Sequence, residues 1–554
     1  MNLNRSICRW FRPGLLAGAA GVMSIGVALA GPMNPSSGDP IGIDGGKVAG
    51  TVLPSGIHVY WGIPYAQPPV RELRWHAPEP VKPWKGVFNA DRPAPFCVQA
   101  VRSANVANEY PPATTLSEDC LNLNIWTPPN ARAGDKIPVV VYIHGGGFRN
   151  GNASTPDISG EPIVKKGFIY VALSYRLNVF GYFAHSELTK ESGAHASGNW
   201  GVLDQIAGLQ WIKRNIAAFG GDAANVTIMG ESAGSESVHF LQSSPLARGL
   251  FAKLGGWSGA AYSPGGQSPA NLQQGEADGL KLQAALKVNS LAELRALSWQ
   301  IIFDTAQRIN LRTRPIIDGY SIPELPVNIF AAGKQVDVPI YVSSTAKDLG
   351  SNAQFFTVKT LAEFRQLAKQ TFGEHTDEFW RLFPASNDKE AVKQARQVLA
   401  FGGFGMTNRD WARSQALTGK QPAYLALFSR VQPYAPGVKW TGFDPEAAGA
   451  AHASDIVYWL GTYDYHNQYL VTRTWTDWDR ELSGKMLDTL VAFAKTGNPS
   501  TATVKVPRYD PTNEQRIVFG DTIYAEKMNS AQIEFLHAHP AGRGQQTGSV
   551  TAAN

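Results

Sequence analysis

Cysteine is scarce. The 554-residue chain holds only Cys8, Cys97 and Cys120, and loss of an N-terminal leader would leave a pair that permits one internal bridge at most. Charged residues make up 17%, and the net charge of +5 is not gathered into a basic run interleaved with aromatics, which argues against a nucleic-acid partner. After the N-terminal stretch there is no run of about 20 apolar residues, so stable membrane insertion is not expected. His-Glu-x-x-His, paired Cys-x-x-Cys and Walker-type phosphate loops are all missing. Gly145-Gly-Gly147 continues into Phe148-Arg149 instead of a dinucleotide fingerprint, so neither a cofactor nor a metal is implied. No internal repeat is found.

The first 30 residues read as a secretory signal. Arg5, Arg9 and Arg12 precede an apolar stretch at 15–29 that ends in Ala28-Leu-Ala30 before Gly31. This core is short and glycine-rich for a membrane span, and no cysteine follows the expected cleavage site. Export to the periplasm or the medium follows as an expectation. At 44% hydrophobic residues the remainder can bury a large core, and residues 31–540 are read as one α/β domain with insertions. The small, polar segment 541–554 is expected to fray.

Chemistry is written most plainly in Gly230-Glu231-Ser232-Ala233-Gly234, which follows the apolar run Val226-Thr-Ile-Met229. A strand, a sharp turn and a helix beginning near Ala233 would raise the Ser232 hydroxyl above the edge of a parallel sheet as a nucleophile. An ordinary glycine turn is the plainer alternative for such a string. Upstream, Val139-Val-Val-Tyr-Ile143 reads as a buried strand running into His144-Gly145-Gly146-Gly147-Phe148. Glycines leave backbone N–H groups unobstructed, so Gly146, Gly147 and Ala233 are candidate donors to an oxyanion, with a flexible loop as the alternative. Leu203, Ile206, Leu209, Ile212 and Ile216 recur at helical spacing before Gly220-Gly221, giving a crossover into the elbow strand. Ser290-Leu-Ala-Glu293 and Thr360-Leu-Ala-Glu363 have the form of capping boxes and place helices within about 265–310 and 357–400, the side expected to select substrate.

These segments resemble the type-B carboxylesterases, the family that includes the cholinesterases, within the α/β-hydrolase fold. The likeness extends in order through Trp61-Gly-Ile-Pro-Tyr-Ala66, Ser117-Glu-Asp-Cys-Leu-Asn-Leu-Asn124, Asn199-Trp-Gly-Val-Leu-Asp204 and Asn215-Ile-Ala-Ala-Phe-Gly-Gly-Asp222. It continues through Trp257-Ser-Gly259, Arg314-Pro-Ile-Ile-Asp-Gly319 and Phe493-Ala-Lys-Thr-Gly-Asn-Pro499. The resemblance implies a serine esterase acting on a small-molecule ester, with His452 as general base and acid. His144 and His239 are weaker candidates. The acid departs from the family pattern: Lys347-Asp348-Leu349-Gly350 carries leucine where glutamate is usual, which makes Asp348 the candidate and an exposed turn aspartate the alternative.

The same resemblance implies Glu231, Ser258 and Asp455 as a buried polar network, with simple polar satisfaction as the plainer reading. It also implies a Cys97–Cys120 disulfide, against two free buried thiols. Tyr110 lies near where choline-binding relatives place a tryptophan, and one aromatic is thin support for a cation site. A non-catalytic binding module and a hydrolase of amides or carbamates remain the alternative functions. Oligomeric state is left open.

Overall fold

The computed structural model describes residues 34–36, 38–100, 115–261, 269–348, 352–438, 448–468 and 471–540. Residues 1–33, including the expected secretory signal, Tyr110, Leu349 and the segment 541–554 lie outside them.

Twelve strands form the main sheet. In chain order they are β1 (Asn34–Pro35), β2 (Thr51–Val52), β3 (His58–Pro64), β4 (Asn122–Thr127), β5 (Ile137–Ile143), β6 (Ile169–Leu173), β7 (Gly221–Glu231), β8 (Lys253–Trp257), β9 (Ile340–Thr345), β10 (Ala423–Phe428), β11 (Gln515–Phe519) and β12 (Ile523–Lys527). Their spatial order is β1-β2-β3-β4-β6-β5-β7-β8-β9-β10-β11-β12. The stretch from β6 to β11 is parallel throughout. Antiparallel pairs finish it at both ends.

Parallel strands need crossovers, and helices supply them on both faces. Among the helices are α1 (Trp200–Asn215), α2 (Ala233–Ser243), α3 (Leu272–Leu286), α4 (Leu291–Ala296), α5 (Trp299–Arg308), α6 (Leu361–Phe372), α7 (Thr376–Leu382), α8 (Asp388–Ala400), α9 (Gly403–Thr418), α10 (Ile456–Leu460), α11 (Asp477–Thr496) and α12 (Ser530–Ala538). Strand alternation splits the core in two. Val139, Val141 and Ile143 of β5 pack with Ile206 and Leu209 of α1 and Val238 and Leu241 of α2. Val140 and Tyr142 point the other way, toward Trp459 of α10 and Leu482, Met486 and Phe493 of α11. Each fully buried aliphatic or phenyl group contributes about 1.5–3 kcal/mol, so both faces anchor the strand ends that carry the polar residues.

The helix at Leu203–Ile216 predicted from periodicity is α1, which tightens into a 3-10 turn at Ile216–Phe219 and stops at Gly220 with φ 91°. Thr360 and Glu363 make the expected reciprocal cap. Ser290 makes only half of its box: Ser290 Oγ accepts from Glu293 N, while the Glu293 carboxylate takes the N–H of Asn289, one residue earlier. Cys97 and Cys120 are joined by a disulfide. Among the described residues no helix is long and apolar enough to cross a membrane.

Candidate active site

The elbow is a feat of close backbone packing. Ser232 sits between β7 and α2 at φ 55° and ψ −124°, a region that non-glycine residues rarely occupy and that surrounding structure must enforce. The enforcement is visible. Ser232 N donates to Trp257 O of β8 at 2.8 Å, and Ser232 O accepts from Glu236 N at 2.9 Å. A Cβ on Gly234 would collide with Ile143 O, and one on Gly230 with the Gly234 backbone, so any side chain at either position would push the turn off the sheet.

The glycine loop lies directly against this turn. A Cβ on Gly145 would stand 2.9 Å from the Glu231 carboxylate and 3.1 Å from Ser232 Cβ. Gly146 and Gly147 adopt φ 105° and 63°, while the turn closes through Arg149 N to Gly146 O at 3.1 Å. Among the described residues no protein acceptor takes the N–H of Gly146, Gly147 or Ala233. His144 braces the loop from below. Its ring stacks on Tyr175 at 4.5 Å, its Nδ1 meets Gly145 O at 2.9 Å, and burial depresses its pKa to about 4.

His452 reaches the elbow from a different part of the chain. Lys347 N donates to Ala450 O at 2.9 Å and Lys347 bridges Ala451, so the loop after β9 and the loop before α10 run side by side. That pairing brings His452 Nδ1 to 2.6 Å from Asp348 Oδ1, and Asp348 Oδ2 accepts from Thr345 N at 3.1 Å. Only 1% of the Asp348 side chain is exposed, so its carboxylate does not face solvent as an exposed turn aspartate would. A carboxylate accepts only, so Nδ1 carries the proton and Nε2 faces the elbow.

On that side, Nε2 lies 3.3 Å from Glu231 Oε1, close enough for charge attraction but without hydrogen-bond alignment. Burial alone would lower the His452 pKa. The Glu231 charge, then the charge and hydrogen bond of Asp348, and last the charge of Asp455 outweigh it and lift the value to about 9. Burial raises Glu231 to about 8, partly opposed by His452, so the two groups titrate as a pair.

Of the three residues expected in a buried polar network, Asp455 is pinned by Trp459 Nε1 at 3.1 Å, and Trp459 stacks on Trp257 beside the elbow. Burial, then the Asp348 charge, raises Asp455 to about 7. Ser258 is fully buried with φ 49°. No direct hydrogen bond joins Glu231, Asp455 and Ser258, and each keeps a buried oxygen with no hydrogen-bond partner among the described residues. Glu231 and Asp455 are coupled through charge. His239 is buried between Trp411 and Phe330, accepts from Ala261 N, and has its pKa lowered to about 3 by burial, which describes a packing residue.

Sequence reasoning missed Phe404, whose ring stacks on His452 at 5.6 Å and 22°. No motif surrounds it. Several quoted segments prove to be clamps instead: Asp204 pairs with buried Arg176 at 2.7 Å, Glu118 with Arg74 at 2.6 Å, and the Asn199 amide holds both Ile316 N and Ile316 O.

A parallel sheet flanked by helices, with a strained serine between strand and helix, defines the α/β-hydrolase fold. The Carboxylesterase family model matches residues 39–536, and the chain belongs to that family. It is 35% identical to the fumonisin B1 esterase of Sphingopyxis macrogoltabida over 353 residues, 63% of this chain and 64% of that enzyme. Against the para-nitrobenzyl esterase of Bacillus subtilis it is 30% identical over 499 residues, 87% of this chain and 94% of the other. Among solved structures, a para-nitrobenzyl esterase superposes with a TM-score of 0.73 at 27% identity, covering 91% of this chain and 99% of that one. Carboxylesterase Est55 of Geobacillus stearothermophilus gives 0.72 at 27% identity over 89% and 99%. The protein is a carboxylic ester hydrolase.

Proposed function

We propose that Ser232 is the nucleophile of a two-step acyl transfer, with His452 as its general base and acid and Asp348 as the carboxylate that orients the imidazole. Ser232 Oγ bonds to the ester carbonyl carbon as its proton passes to His452 Nε2, and the N–H groups of Gly146, Gly147 and Ala233 hold the oxyanion. The C–O bond then breaks and His452 returns the proton to the leaving alcohol. Water attacks the acyl carbon as its proton passes to the same nitrogen, the Ser232 Oγ–carbon bond then breaks, and His452 returns that proton to Oγ, which releases the acid and restores Ser232. The observation that carries this reading is the part-buried 2.6 Å contact between Asp348 and His452, which turns the other imidazole nitrogen toward the elbow.

A fluorophosphonate probe tests it. The expected adduct maps to the peptide containing Ser232, and Ser232→Ala lowers kcat by about five to six orders of magnitude. Labelling of another residue in folded protein rejects the assignment.

Substrates are small carboxylic esters, and the names of the relatives recommend a panel that includes para-nitrobenzyl esters, pyrethroids and fumonisin B1. Residues 31–540 form one catalytic domain in this reading, supported by a single sheet that runs from β1 to β12. Export with cleavage after Ala30 is supported by the leader's composition and by a disulfide suited to an oxidising compartment. Sequencing the amino terminus of the exported fraction checks it, with Gly31 expected first.

A further inference from the structure

Three side chains far from the serine in sequence converge at the end of the last helix. His375 closes the turn Gly373–His375, Glu378 follows one helical turn later in α7, and His539 caps the C-terminus of α12. One ligand atom from each lies within 4.8 Å of the other two. The two imidazoles are 3.8 Å apart between centroids, at 31°. The tripod stands on a rigid base: Phe535 of α12 packs on Phe372 at 5.3 Å and on Phe379 at 6.0 Å, while Gln532 Nε2 donates to Leu382 O at 2.6 Å.

We propose that His375, Glu378 and His539 form a binding site for a divalent cation of the zinc class, which fastens α12 to the α6–α7 unit. Two imidazole nitrogens and one carboxylate are a borderline ligand set, which favours zinc, nickel or copper over the oxygen-seeking calcium and magnesium. A tetrahedral zinc with ligand bonds of about 2.0–2.1 Å needs ligand atoms roughly 3.3 Å apart, so the three side chains would close by up to about 1.5 Å through rotamer changes. His375 and His539 are half-buried and Glu378 is exposed, which leaves an approach from solvent. The fourth position falls to water or to Glu374, whose carboxylate is already 3.7 Å from His375 Nε2. None of these residues touches Ser232, His452 or Asp348, so the cation acts on the fold and not on hydrolysis. His375 and Glu378 stand at one-turn spacing, and His539 lies 161 positions beyond Glu378.

Calorimetric titration of zinc chloride into the full, tag-free chain after removal of metal by EDTA is the test. One equivalent is expected to bind the wild type and to be lost in both His539→Ala and Glu378→Gln. His537→Ala, on the same helix but beside Asp410, should keep it. Zinc should raise the melting midpoint of the wild type and leave that of His539→Ala unchanged, with the two melts coinciding in EDTA to show that the variant folds. No stoichiometric equivalent in the wild type, or one that survives in His539→Ala, overturns the proposal.

Discussion

The elbow and the His452–Asp348 pair are built by opposite means. Ser232 is fixed by its nearest neighbours in sequence and by backbone packed so tightly that Gly230 and Gly234 admit no Cβ. His452 and Asp348 are 104 positions apart and meet because two loops share a short stretch of backbone pairing at Lys347. Backbone contact leaves the first region no tolerance. The second is held by side-chain contacts and charge, which can be altered in steps.

Gly234→Ala should therefore do heavy damage for a single added methyl group. Its Cβ would press on Ile143 O at the end of a central strand, and relief requires moving either β5 or the turn. A loss of about 3 kcal/mol or more is expected, read as a fall in the denaturant midpoint together with nearly complete loss of turnover. A Gly234→Ala enzyme with ordinary stability and rate would show that the elbow is looser than its packing requires.

Asp348→Asn comes next and acts on chemistry while leaving the fold in place. An amide offers Nδ1 the wrong hydrogen-bonding partner and stabilises the wrong tautomer, so kcat should drop by about three to four orders of magnitude with an unchanged thermal midpoint. Equal rates for wild type and variant would show that another acid orients the imidazole.

This contrast also explains what the sequence disclosed. The elbow, the glycine loop, α1 and the Thr360 cap are local patterns, each readable from a handful of adjacent residues. Asp348 was the difficult residue because its role depends on where a loop after β9 meets a loop before α10, and Leu349 removes the usual signature. Phe404 had no signal at all, since stacking on His452 follows from the placement of α9 under β9 and β10. Asn199, Asp204 and Glu118 stood in segments that marked the family, yet their work is to clamp loops to the scaffold.

Glu231 separates the two regions most finely, because it belongs to the elbow by sequence and to His452 by charge. Only a neutral imidazole can take the serine proton, so kcat/KM should rise as pH passes the His452 pKa from below, with a midpoint above the ordinary 6.5. Glu231→Gln removes the largest charge that favours the imidazolium, and the midpoint should fall toward or below 6.5. The stability effect has the matching sign. Because the folded-state value of His452 is raised, its protonation contributes to the stability of the fold fully below about pH 6.5, and that contribution fades as pH rises through about 9. A pH profile that does not move in Glu231→Gln would assign the acidic limb to another group.

The smallest effect is expected at Phe404, and it asks whether packing alone orients the base. Phe404→Ala keeps both carboxylates next to His452 and removes only the ring stacked on it at 5.6 Å. An aromatic contact of this kind is worth about 0.5–1.5 kcal/mol, so kcat should fall by only a few-fold to about tenfold, with the pH midpoint held. If the rate falls as far as in Asp348→Asn, orientation comes from the whole wall of the site and not from one short hydrogen bond, and the acid–base side is as intolerant as the elbow.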